Sequence, residues 1–272
     1  MKKCRPLTLW TAVLTVIFLL GTASLQAMPM KFLFFFPGGQ GSQEVAQPLL
    51  DTFAASLKKA SGGKFEANIA YISDKNSGIR YIQTQRPAAG ILSWDLFDQY
   101  AKTWGAEVLA KTLQLPSGDG SDQFFLIAPK GTVLPNSGKI TILSQRPFEA
   151  AFVAAKLFPE AKGVEFEIQS TRNPVGELRS IGSGSKSAFV LLDSYEWHNI
   201  SRLKAAWVAG LGVAAQSAKV PSAPVVTFPG PLSPEERGIL AQALAKMGQD
   251  SEVQETLREL RLKGFKPASS LL

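Results

Sequence analysis

Residues 31–42 read KFLFFFPGGQGS, and this stretch decides the fold class. From Phe32 to Phe36 the side chains are apolar without interruption. An unbroken apolar run of strand length predicts a strand buried on both faces, as in a parallel sheet covered by helices. Gly38-Gly39-Gln40-Gly41-Ser42 then reads as a loop. Val45, Leu49, Phe53 and Leu57 recur every fourth residue and predict a helix that stops at Gly62-Gly63. Pro48 places the regular start of that helix near its own position, after a long loop. Phe65–Ile72 is a second strand, so the chain opens as strand, helix, strand.

The same alternation continues in both directions of reading. Gly78–Gln85 predicts a helix, Ala88–Leu92 a short buried strand ending at Ser93-Trp94-Asp95, and Asp122–Pro129 another strand. A Gly/Pro/Asn-rich break at Gly131–Gly138 follows. Beyond it the series restarts: strand Lys139–Leu143, helix Phe148–Phe158, strand Val164–Gln169, helix Pro174–Ile181, strand Ala188–Leu192. Ser233-Pro234-Glu235-Glu236 is a capping box with Pro at the first helical position. Ser251–Gln254 opens a last helix, with Gly264 as its expected stop. The expected fold is therefore α/β, in two lobes, each a mainly parallel sheet flanked by helices. Ligands of open α/β sheets bind beyond the carboxyl ends of the strands, which places a cleft before its chemistry is known.

Residues 1–27 read as a secretory signal peptide. Lys2, Lys3 and Arg5 precede an uncharged apolar stretch, Leu7–Leu20, and small residues lead to Ala27. That apolar stretch is shorter than the ~20 residues of a bilayer-spanning helix. Removing the three basic residues lowers the formal charge from +7 by three, to +4. With no basic run longer than Lys58-Lys59 and no aromatic-rich basic stripe, nucleic-acid binding has little support. Cys4, the only cysteine, lies upstream of the apolar stretch, so no disulfide, thiolate nucleophile or Cys-based metal site is expected.

On these segments the chain resembles the type II periplasmic solute-binding proteins of ABC transporters, in the branch that binds phosphate, phosphite or phosphonate. The likeness is carried by the apolar first strand, the helix 48–60 ending in Gly-Gly, and Ala88–Leu92 with Trp94 beyond it. Ala188–Tyr195, Pro221–Phe228 and the Ser-Pro-Glu-Glu helix complete it. The resemblance implies lobe 1 at 28–126 and 226–272, lobe 2 at 127–225, and hinges at Phe124–Ala128 and Val225–Phe228. It implies a monomeric periplasmic receptor without a cofactor that hands a small ligand to an inner-membrane permease. Where such proteins carry a Ser/Thr-rich anion grip, this chain has Ser144-Gln145-Arg146-Pro147, and the family histidine is replaced by Ser170-Thr171-Arg172-Asn173.

Candidate ligand contacts follow from the strand-tip loops. Arg146 and Arg172 each precede a proline suited to the first position of a helix, where unpaired N–H groups attract anions. Their alternative role is pairing with acids such as Glu149 or Glu177. Asn173 suits an N-cap; Ser144 and Thr171 can meet a ligand or tie off loop ends. Gln40, Ser42 and Ser93 belong to the lobe 1 tips, with Gln145 opposite them. Trp94 and Tyr195 can stack on a ligand or pack beneath a loop, and Asp193 can accept from a ligand or fix a backbone N–H. His198 stands alone, and no catalytic constellation or metal-ligand spacing accompanies it. The expected ligand is anionic, phosphonate-like or a carboxylate. A sensing receptor for a signalling partner and a carrier of apolar cargo, the latter suggested by 45% hydrophobic composition, use the same fold.

Overall fold

A computed structural model describes residues 27–268. The expected signal peptide lies outside the described residues except for Ala27.

β1 (Met28–Phe35) is buried on both faces, as its unbroken apolar run requires. Phe32 and Phe34 pack on one side with Phe53, the Phe34 and Phe53 rings meeting edge-on at 5.3 Å. Leu33 and Phe35 face the other side. α1 (Gln43–Ala60) begins five residues earlier than Pro48 suggested, and Pro48 sits exposed within it. β2 (Phe65–Ile72) pairs with β1 in parallel. In α2 (Lys75–Gln85), Gly78 lies against the Phe35 ring so closely that a Cβ there would fall 2.1 Å from Phe35 Cε2. β3 (Ala89–Leu92), α3 (Trp94–Trp104) and β4 (Glu107–Gln114) follow.

The chain leaves this first sheet through β5 (Ser121–Asp122) and enters β6 (Phe124–Pro129) and β7 (Gly138–Ser144). A short α4 (Ala150–Phe152) continues as a π turn over Val153–Leu157. β8 (Val164–Ser170), α5 (Pro174–Gly182), β9 (Phe189–Asp193), α6 (Ser194–Ser201) and β10 (Leu211–Gln216) complete the second series. The return runs through β11 (Val220–Pro221) into β12 (Pro224–Thr227), α7 (Pro234–Met247), α8 (Gln254–Glu259) and β13 (Leu262–Pro267).

Besides a two-stranded ladder of β11 and β5, two large sheets result, ordered β13-β4-β12-β3-β1-β2 and β10-β6-β9-β7-β8. Each has a parallel core of three strands, β2-β1-β3 and β8-β7-β9, extended by antiparallel strands that include the returning segments. Each carries its own buried clusters. This is a two-lobed α/β architecture with two crossovers.

Several elements depart from expectation. The expected hinge strands Phe124–Ala128 and Val225–Phe228 lie within β6 and, for most of the second, β12. The passage between sheets is the antiparallel pair Val220↔Asp122 and Pro221↔Ser121. The helix expected at Phe148–Phe158 starts only at Ala150, so Pro147 is not its first residue. Gly264 does not stop a helix: it lies in β13, where its Cα approaches that of Gly248 so closely that a Cβ would meet it at 3.1 Å.

Candidate functional site

Between the lobes lies a cavity of about 290 Å³. One wall comes from the first-sheet side: Phe36, Gly38, Gln40, Tyr71, Ser93 and the Leu260–Leu262 turn. The other comes from Gln145, Arg146, Asp193, Tyr195 and Glu196, with Asp122 on the crossover. Strand-tip loops form both walls, as the topology of open α/β sheets dictates.

The chemistry centres on Arg146. Its Nη2 donates to Asp193 Oδ2 at 2.5 Å, and its guanidinium lies 5.7 Å from the Phe124 ring centroid and 6.0 Å from that of Phe148. Burial opposes the charge on Arg146, but Asp193, Glu196, Asp122 and Asp95 together hold it firmly protonated. Asp193 ends β9 and caps α6: Oδ1 accepts from Glu196 N at 2.8 Å, while Asp193 N donates to Glu196 Oε2 at 3.0 Å. This reciprocal capping fixes both carboxylates beside the cavity.

Asp122 Oδ1 accepts from Ser194 Oγ at 2.6 Å and from Gln123 N at 2.7 Å. Arg261 reaches in from the opposite lobe, 3.8 Å from Asp193 Oδ2 and 3.9 Å from Glu196 Oε1. Its guanidinium lies 4.8 Å from the Tyr195 ring centroid. The Arg261 backbone has φ of 60°, a left-handed conformation uncommon outside glycine, and this turn delivers the guanidinium into the cleft.

Desolvation pushes the carboxyl of Glu196 up to about 7, and the Asp193 charge adds to the rise while Arg146 opposes it. Burial also raises Asp122 and Asp95. Six acidic or basic side chains line the cavity: Asp122, Asp193, Glu196, Glu259, Arg146 and Arg261. Carboxylates therefore outnumber guanidiniums by four to two. Among the described residues, no three His, Cys, Asp or Glu side chains are placed to hold a metal ion.

The lobes also touch directly. Gln40 Nε2 donates to Gln145 Oε1 at 3.4 Å. Glu149 accepts from Lys75 Nζ at 2.9 Å and from Gln99 Nε2 at 2.8 Å, and these donors hold its carboxyl below the usual range. Lys156 pairs with Asp98 at 3.0 Å, and Trp94 packs on Phe152 with ring centroids 5.3 Å apart.

Of the residues singled out in the sequence, Gln40, Ser93, Gln145, Arg146, Asp193 and Tyr195 line the cavity. The others do not. Arg172 and Asn173 are exposed; Asn173 Oδ1 caps α5 by accepting from Gly176 N at 2.9 Å. Thr171 Oγ1 ties the same loop by accepting from Asn173 N, and buried Ser144 lies behind Arg146. Ser42 is exposed at the start of α1, and Trp94 belongs to the interlobe packing. The paired-arginine anion site does not form: Arg172 lies outside the cavity and Arg146 is occupied by Asp193 rather than by Glu149. Tyr71, Asp122, Glu196 and Arg261 were missed. Only Glu196 carried a local signal, the Asp-x-x-Glu spacing with Asp193.

The fold is that of the type II periplasmic binding proteins. Comparison with solved structures gives a TM-score of 0.64 to a binding protein component of an ABC phosphonate transporter from Pseudomonas aeruginosa, 15% identical, covering 91% of this chain and 83% of that one. A Xanthomonas citri protein bound to ATP gives 0.65 at 13% identity, covering 88% and 92%. A Prochlorococcus marinus protein in complex with methylphosphonate gives 0.61 at 14% identity, covering 89% and 93%. No protein-family model matches the chain, and no curated protein matches it in sequence.

Proposed function

We propose that this protein is a periplasmic solute-binding receptor of an ABC-type uptake system, noncatalytic and monomeric. It is exported by residues 1–27 and closes its lobes over a small ligand before docking on an inner-membrane permease. The observation that carries the reading is the roughly 290 Å³ cavity with walls from both lobes, at the strand tips and beside the paired crossover. The volume suits a small organic molecule. Contacts such as Lys75–Glu149 and Gln40–Gln145 support a closed state that ligand would favour over an open one. Gln40, Ser93, Gln145, Arg146, Asp193 and Tyr195 are the proposed ligand contacts, to which Asp122, Glu196 and Arg261 are added.

The test is mass spectrometry of the protein purified from its native host under non-denaturing conditions, followed by thermal unfolding with the released compound added back. A stoichiometric small molecule that raises Tm supports the receptor. A protein that carries nothing, and whose Tm no host metabolite fraction moves, refutes it.

A further inference from the structure

We propose that the cleft recognises an organic cation bearing N–H donors, an alkylammonium or guanidinium group, held between Asp122, Glu196 and the Ser93 hydroxyl. This rests on the reading of the cavity as the ligand site and assigns the ligand class. The expectation of an anion came from two arginines, of which one is outside the cavity and the other is neutralised by Asp193 at 2.5 Å. With Asp193 committed to Arg146, the unmatched charge on the walls is negative. Asp122 uses Oδ1 for its protein donors, and no donor among the described residues is bonded to its Oδ2. Arg261 approaches Glu196 only to 3.9 Å, beyond direct hydrogen-bond reach.

A second, independent observation points to a ligand. Ser93 is 2% exposed, lines the cavity, and its Oγ has no hydrogen-bond partner. The Ser93 hydroxyl lies near enough to the Asp95 carboxyl to favour its ionised form, but without the alignment of a full hydrogen bond. A buried hydroxyl without a partner is costly, and a ligand N–H would satisfy it. The aromatic walls fit the same class, since Tyr71, Phe36 and Tyr195 face the space and ring faces attract cations. Tyr195 already holds one guanidinium, that of Arg261.

Protonation of Glu196 follows from its surroundings. Burial is the largest influence and raises it, Asp193 raises it further, and Arg146, the Asp193 N–H and Arg261 lower it, while Asp122 on the crossover faces the same space. A ligand cation favours the ionised form. Binding therefore releases a proton near neutrality and weakens as pH falls through about 7.

The experiment is calorimetric titration of the protein, unfolded and refolded to release cargo, with agmatine, putrescine and benzylamine, and separately with methylphosphonate, phosphate and citrate. At least one amine is expected to bind saturably at pH 8. Its affinity should fall by about 30-fold at pH 5.5, the ratio of ionised fractions for one carboxyl titrating near 7. Ser93→Ala should weaken it roughly tenfold. Binding of an anion and of no amine overturns the cation assignment and leaves the receptor standing. Amine binding unaffected by both Ser93→Ala and Glu196→Gln overturns it too. If neither set binds, the cargo copurified from the native host decides: a compound without a basic nitrogen overturns the assignment, a basic one upholds it, and no cargo at all ends both readings.

Discussion

Arg146→Met removes the one guanidinium that Asp193, Glu196, Asp122 and Asp95 share, while keeping an apolar stem against Phe124 and Phe148. Deleting one partner of a buried ion pair typically costs ~3–5 kcal/mol, because the other charge is left uncompensated. Arg146 is 25% exposed in its side chain, and Arg261 stays within 4 Å of Asp193 and Glu196, so the lower end, about 3 kcal/mol, is expected at pH 8. In a domain of this size that lowers Tm by roughly 6–12 °C. The sign of the pH dependence is fixed. Arg146 lowers the Glu196, Asp122 and Asp95 carboxyls, so without it they protonate at higher pH and the repulsion is relieved earlier on acidification. The deficit should be largest at pH 8 and shrink towards pH 5.5. Urea unfolding of both proteins at the two pH values measures it. A loss below about 1 kcal/mol at pH 8, or one that grows on acidification, would refute Arg146 as the counterion of the cluster.

Other consequences follow from single contacts. In ligand-free protein, Glu196 is favoured neutral by the fold, so its contribution is present below its unfolded value of 4.5 and lost as pH rises through about 7; Glu196→Gln should flatten that part of the stability profile measured by denaturant. Gly78→Ala should destabilise by about 1–3 kcal/mol in urea melts, because the clash with the fully buried Phe35 ring outweighs the ~1 kcal/mol that alanine gains in an open helix. Glu149→Ala removes the acceptor shared by Lys75 and Gln99 across the lobes, so ligand-free protein should show a larger radius of gyration by X-ray scattering while its Tm moves by less than about 3 °C.

The parallel cores were legible because β1, β3 and β9 are written as continuous apolar runs, while β2 and β8 alternate apolar with polar residues. β4 and β13 escaped notice for the opposite reason. Glu107 and Lys111 in β4, and Lys263 and Gly264 in β13, interrupt the apolar pattern of strands lying at one end of the first sheet. Pro48 misled because its missing N–H falls on an exposed face of α1, where packing by Leu50, Phe53 and Leu57 overrides it. The cleft itself was located by topology, and Asp193 and Arg146 with it. Its electrostatic character was not. The carboxylates come from a crossover (Asp122), a helix start (Glu196) and the end of β9, and Arg261 arrives from a turn more than sixty residues further on. Such convergence leaves no spacing to read. Arg172 resembled Arg146 in sequence context, yet the loop after β8 carries it to the surface.

If the two lobes close on a small molecule, dyes placed across the cleft must draw together when it binds. Cys4 is the only cysteine and falls within the proposed leader, so cysteines introduced at exposed Gln83 and Lys162, on opposite lobes, accept dyes selectively once that leader is removed. Single-molecule energy transfer is then recorded after refolding and after addition of a protein-free metabolite extract of the native host. We expect a longer-distance population that converts to a shorter one on addition. A single distance that no extract shifts would rule out closure of the lobes on a ligand.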